Sequence, residues 1–239
     1  MANSLGEAAL VFLASTGVCL LVGPFAIRWL SSTQCVQPIR YEDCPPLLAF
    51  QAAKQKTPTL GGLFVLLAAI LVAAMAGGLA HREGWIVLGA ITGLAAVGLF
   101  DDCLKFRGRN AAGLRKAPKL FVALAVGAVI GMAFPMTDAS YHVIEIPWLQ
   151  RTIDLERAWV PFAMMVMAGC SHAVNLTDGL DGLAAGCVAI VLSILGLCVL
   201  AGDPRGRVLI PWCASLAGAC VGFLWFNAFP ASVFLGDVG

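Results

Sequence analysis

The chain has 239 residues, of which 60% are hydrophobic and 12% charged, with a mean hydropathy of +0.88. That is too apolar for a water-soluble domain of this size, so an all-α, polytopic integral membrane protein is expected, with one transmembrane domain over 1–239. A net charge of +1 with no basic patch interleaved with aromatics leaves nucleic-acid binding without support.

The N-terminus lacks a basic leader, and its apolar run is longer than a signal-peptide core, so it reads as a retained span. A span needs about 20 apolar residues. Seven windows qualify or come close: Ala8–Leu30, with Pro24 inside it, then Leu60–Ala80, Trp85–Phe100, Leu120–Phe134, Trp159–Cys170, Leu183–Ala201 and Val208–Phe226. The third to fifth are short. The glycine pairs Gly61-Gly62 and Gly77-Gly78 are read as points of close helix approach. The nine cysteines, odd in number and without a Cys-x-x-Cys pair, read as small buried hydrophobes.

Seven spans put alternate flanks on the same side of the membrane. Segments 31–57, 101–119, 171–182 and 227–239, with Arg28, carry ten of the fifteen Lys and Arg, so the positive-inside rule makes them cytoplasmic and the N-terminus external. Residues 135–158 then form an external, solvated cap, and His81 and His142 are solvated too. Each unusual polar cluster falls on the one cytoplasmic side: Lys54 to Gly62, Asp101-Asp-Cys-Leu-Lys105, Asn175 to Asp181, and Phe234-Leu-Gly-Asp237.

Asp101 and Asp102 follow an apolar helix read as ending at Phe100, and Lys105 lies one turn on, within reach of a carboxylate or a phosphate. Asp178 and Asp181 share a face if their segment is helical, and two Asp-Gly steps are equally readable as turns. Taken together, carboxylates without clustered His or Cys suit Mg²⁺ rather than zinc, and Mg²⁺ uses one or two carboxylates and leaves room for phosphates. The basic loop from Lys105 to Lys119 complements such phosphates, so phosphoryl transfer is the reaction class expected. There is no Walker-type loop, and Ser171-His172 has no third member of a triad. A transporter would place its carboxylates near mid-bilayer on broken helices, whereas these fall at helix ends.

Four motifs occur in order: Thr57-Pro-Thr-Leu-Gly-Gly62, Asp101-Asp102, Asn175-Leu-Thr-Asp-Gly-Leu-Asp-Gly-Leu-Ala184 and Val233-Phe-Leu-Gly-Asp-Val-Gly239. Over nearly its whole length the chain thereby resembles the polyprenyl-phosphate N-acetylhexosamine-1-phosphate transferases, and within them the muramoyl branch. The resemblance implies transfer of phospho-MurNAc-pentapeptide from UDP-MurNAc-pentapeptide to undecaprenyl phosphate, giving lipid I and UMP for the peptidoglycan cell wall. It also implies Mg²⁺, a homodimer within membrane lipid, and a bacterial cytoplasmic membrane with the active site inside. A sister transferase using UDP-GlcNAc is the alternative.

By the same resemblance Asp101 deprotonates the lipid phosphate, Asp102 supports the site, Asp237 is the main Mg²⁺ ligand, and Lys105 and Lys119 hold phosphates. Asn175, Asp178 and Asp181 line the catalytic and nucleotide cleft. Gly179, Leu180, Asn227 and Phe234 form the uridine pocket, Phe234 by stacking, and Lys54, or its neighbour Lys56, matches the lysine before Thr-Pro-Thr. Two departures stand out. The family continues past Gly239 with further spans and a His-rich motif, so the chain reads as a fragment whose activity is open. His172 stands where the family usually has Asn.

Overall fold

A computed structural model of the chain describes residues 2–32, 57–108, 114, 116–146, 149–202 and 204–239. Seven α-helices occupy the seven windows among these residues: α1 (Ala2–Ser32), α2 (Gly61–Met75), α3 (Arg82–Gly108), α4 (Lys116–Ala133), α5 (Trp159–Thr177), α6 (Leu183–Ala201) and α7 (Ile210–Asn227). Five of the helical segments are long and apolar enough to cross a membrane, whereas α2 and the apolar part of α4 are shorter. At 15 residues, α2 reaches roughly 22 Å, short of a hydrocarbon core of about 30 Å. The protein is an all-α, multi-pass membrane protein.

Its packing runs opposite to that of a soluble bundle. Large apolar side chains such as Leu13, Leu21, Phe25, Leu67, Ile190 and Leu197 are exposed, while alanines dominate the interior: Ala68, Ala69, Ala73, Ala184, Ala185, Ala189, Ala217 and Ala219. With lipid as apolar as leucine, helices associate through close backbone approach, which small residues permit. α7 is the hub, packed against α1, α2 and α6, and α4 packs against α3 and α5. A Cβ on Gly218 of α7 would lie 2.2 Å from the Phe12 carbonyl oxygen of α1, so only glycine lets those helices meet. The seam is fastened by Ser15, whose hydroxyl donates to the Ser215 carbonyl at 2.6 Å, and by Thr16, which donates to the Gly218 carbonyl at 2.9 Å.

Several boundaries differ from those expected. α2 stops at Met75 because the chain turns through Gly77 at φ +84, so the second glycine pair begins a turn that ends the helix. α3 does not end at Phe100 but runs on to Gly108, carrying Asp101, Asp102 and Lys105 on a continuous helix. An (i, i+4) pair between Lys105 and Asp101, 2.7 Å apart, neutralises charge within the helix and lets it continue. α5 likewise extends through Asn175 to Thr177, and Asp178 to Gly182 form a turn, so Asp178 and Asp181 do not share a helical face.

The 135–158 segment contains a two-stranded antiparallel hairpin, β1 (Val143–Ile146) with β2 (Arg151–Asp154). His142 in it is not merely solvated: its Nδ1 lies 2.6 Å from Asp154 Oδ1. Cys19 and Cys220 are buried as expected, yet Cys103, Cys170, Cys187 and Cys198 are exposed on helix faces, where a thiol sits easily against hydrocarbon.

Gly218→Ala is expected to lower the detergent-solubilised protein's unfolding temperature, at a cost of about 1–3 kcal/mol for overpacking. Gly17→Ala, where a Cβ would meet nothing within 4 Å, should not lower it. Equal melting curves for Gly218→Ala and wild type would contradict the close α1–α7 seam.

Candidate functional site

A helix leaves its first backbone N–H groups without internal partners. At the start of α2 they are taken by backbone: Gly61 donates to the Phe234 carbonyl at 2.8 Å and Gly62 to the Leu235 carbonyl at 2.7 Å. The Phe234 N–H donates in turn to the Pro58 carbonyl at 2.9 Å. The first and fourth motifs are thus two sides of one backbone junction. Leu60 enters it at φ +74, a left-handed conformation that costs a non-glycine residue about 1–3 kcal/mol. Gly98 of α3 completes the approach, since a Cβ there would lie 1.9 Å from the Asp237 carbonyl oxygen.

This junction delivers Asp237 to the Asp101-Asp102 pair. Lys105 Nζ lies 2.7 Å from Asp101 Oδ2, 3.3 Å from Asp102 Oδ1 and 2.9 Å from Asp237 Oδ2. Lys119, arriving from α4, donates to Asp101 Oδ2 at 2.8 Å and also to Asp237 Oδ2. The Asp237 N–H donates to Asp102 Oδ2 at 2.9 Å, and the Leu114 N–H donates to Asp101 Oδ1. Asp101 and Asp102 are fully buried and Lys105 nearly so, while Lys119 remains 28% exposed. Three carboxylates against two ammoniums leave one negative charge.

Burial alone would raise the Asp237 carboxyl, but the Lys119 and Lys105 ammoniums hydrogen-bonded to it outweigh that and hold the group well below the usual carboxylate range. Its ionised form therefore stabilises the fold fully above the ordinary value of about 4, and that contribution fades as pH falls through the lowered folded value.

Above Lys119 and Asp237 opens a cavity of about 380 Å³. Asn175 and Asp178 line it with Ser171 and His172, and its other walls are apolar, including Leu94, Val97, Val122, Met167 and Val188. Asp101, Asp102 and Lys105 lie in the charge cluster beneath rather than on the cavity wall. Asp181 and Asn227 do a different job. Asp181 Oδ2 accepts from the Ala231 N–H at 3.1 Å; Asn227 Oδ1 accepts from the Gly182 N–H at 3.0 Å, and its Nδ2 donates to the Val233 carbonyl at 2.9 Å. Both side chains bind the 178–182 turn to the segment that carries Asp237. Gly179 and Leu180 stand exposed on that turn, and Phe234 is half-buried in the junction. Lys54 and Lys56 lie outside the described residues.

The donors suit a hard divalent cation. One oxygen each from Asp101, Asp102 and Asp237 falls within 4.8 Å of the others, with no His or Cys among them. Beside them, the missing side chain of Gly236 leaves a cradle in which a Cβ would lie 2.9 Å from both Asp102 Oδ2 and Thr59 Oγ1. Thr59 Oγ1 is buried with no hydrogen-bond partner, a polar atom facing a carboxylate-lined space. Thr59 and Gly98 were not among the expected site residues. Thr59 lies inside the Thr57–Gly62 motif, and a lone Gly three residues before Asp101 is the only sequence trace of the second.

A family model described as glycosyl transferase family 4 matches residues 84–239. Among curated proteins, a phospho-N-acetylmuramoyl-pentapeptide-transferase from Thermodesulfovibrio yellowstonii is 37% identical over 96% of this chain and 67% of its own length. Proteins of the same name from Methylacidiphilum infernorum and Anaplasma marginale are 35% and 38% identical, over 95% of this chain in each case and 67% and 68% of their own lengths. The chain thus spans about two thirds of the length of these relatives.

Removing one partner from a buried ion-pair network leaves charge uncompensated, at about 3–5 kcal/mol. Lys105→Met should therefore destabilise the protein by that order in chemical denaturation, and Lys119→Met, at the cavity edge, by clearly less. The reverse ranking would contradict the arrangement of the cluster.

Proposed function

The chain belongs to glycosyl transferase family 4, and on that premise we propose that it transfers phospho-MurNAc-pentapeptide from UDP-MurNAc-pentapeptide to undecaprenyl phosphate, yielding lipid I and UMP. The observation that carries this reading is the meeting of Asp101, Asp102, Asp237, Lys105 and Lys119 at the base of a cavity with polar and apolar walls. That combination suits a reaction between a water-soluble diphosphate and a lipid-linked phosphate. The names of the relatives support the muramoyl donor over UDP-GlcNAc. The Lys and Arg distribution supports a cytoplasmic active site in a bacterial inner membrane.

Asp237, with Asp101 and Asp102 beside it, would hold Mg²⁺, which when bound neutralises diphosphate charge and polarises the reacting phosphoryl group. Lys119, the more exposed of the two lysines, turns from Asp101 and Asp237 towards the donor's phosphates, and Lys105 keeps the buried carboxylates paired. An oxygen of the lipid phosphate attacks the β-phosphorus, the bond bridging the two donor phosphates breaks, and UMP leaves with the bridging oxygen. Once Lys119 has released its Oδ2, Asp101 can accept the proton of a singly protonated acceptor. Asn175 and Asp178 line the path of the donor, and Phe234 stacks on its uracil beside the Gly179-Leu180 turn. Asp181 and Asn227 hold that turn at the distance the nucleotide requires.

With detergent-solubilised full-length protein and undecaprenyl phosphate, UMP release is expected from UDP-MurNAc-pentapeptide and not from UDP-GlcNAc. The opposite preference would assign the sister activity, and no release from either would refute transfer. Asp237→Asn should abolish Mg²⁺-dependent turnover, a loss of at least ~10²-fold for a group at the developing charge. Phe234→Ala should raise KM for the nucleotide sugar by about tenfold, as one lost stacking contact of ~1–1.5 kcal/mol implies, and leave KM for the lipid unchanged.

A further inference from the structure

The cavity wall contributed by α5 carries a side chain that the transfer scheme leaves unused. His172 and Asn175 lie three residues apart and line the same cavity, with His172 one helical turn closer to the apolar middle of α5. His172 Nδ1 is 3.0 Å from the Ala168 carbonyl oxygen, one turn back on its own helix. A carbonyl oxygen only accepts, so Nδ1 carries a hydrogen and the neutral tautomer is set. Nε2 is left as the ring's remaining polar atom, and among the described residues no partner takes it.

The neighbours identify what it would meet. The cavity wall is mixed: Lys119, Asn175, Asp178 and Asp237 are polar, and Leu94, Val97, Val122, Met167 and Val188 are apolar. The diphosphate and sugar of the donor are polar and make no use of those aliphatic walls. A phosphate carried on a hydrocarbon chain changes from charge to apolar within one bond. Building on the transferase reading, we propose that His172 binds the phosphate of the isoprenyl monophosphate acceptor through Nε2. Neutral, Nε2 accepts from the P–OH of the monoanion and so holds the acceptor in the form from which Asp101 then takes the proton. His172 would then hold the attacking phosphate at the lipid side of the site, while Lys119 and Asp237 face the donor.

Two substitutions separate this role from a structural one. His172→Asn keeps an amide within reach of the Ala168 carbonyl and deletes the atom at Nε2, whereas His172→Gln carries an amide to the Nε2 position. Binding of geranyl phosphate and of UMP to the full-length protein in detergent, measured by calorimetry, is the readout. Geranyl phosphate affinity should fall about tenfold in His172→Asn, as loss of one hydrogen bond to a charged group implies, and by less than threefold in His172→Gln. UMP affinity should hold in both. Retention by Asn with loss by Gln, no effect of either, or parallel loss of UMP and geranyl phosphate binding would overturn the assignment. Failure of the wild-type protein to bind either probe would instead sink the transferase reading on which it rests.

Discussion

Two backbone hydrogen bonds, from Gly61 and Gly62 to the carbonyls of Phe234 and Leu235, govern where the chemistry can happen. They satisfy the open end of α2 without a capping side chain and fix the segment that bears Asp237. The segment could not come so close if Gly61, Gly62 or Gly98 carried a Cβ, because each would collide with its backbone. Asp237 is consequently placed by main-chain geometry, which a mobile side chain cannot relax. The Asp181 and Asn227 side chains extend the same anchoring to the turn after α5.

What the junction brings together would be costly alone. Carboxylates buried among apolar helices are tolerated only when paired and hydrogen-bonded. Lys105 from the same helix and Lys119 from α4 supply that pairing, with backbone N–H groups from Leu114 and Asp237. The cluster is therefore organised before any ligand arrives, and its residual negative charge favours a cation. Its buried members, Asp101, Asp102 and Lys105, do not need to reorient during reaction, which is where electrostatic catalysis gains most. The graded exposure of the two lysines divides labour between a buried member that keeps the fold and an accessible one that can exchange partners.

Long-period features were legible in the sequence. Seven apolar runs became seven helices, and alternation of flanks forecast that Asp101, Asn175 and Asp237, far apart in the chain, would gather at one end. Short-range geometry was not. Charge directly after Phe100 reads as the end of α3, but the Asp101–Lys105 pair makes that charge compatible with a helix. The Asp178–Asp181 spacing suggested a shared face, but Gly182 at φ +76 breaks the segment into a turn. Thr59 and Gly98 carry no distinct sequence signal, because a hydroxyl in a motif and a glycine in a span have many ordinary explanations. Only the backbone packed against them gives them a role.

The central physical claim is that Asp101, Asp102 and Asp237 form one cation site. Electron paramagnetic resonance of Mn²⁺ added to the purified full-length protein addresses it without reliance on turnover. One bound Mn²⁺ per chain, displaced by Mg²⁺ and lost in Asp237→Asn, is the result predicted. Binding that is unchanged in Asp237→Asn, or no saturable binding to the wild-type protein at all, would contradict it.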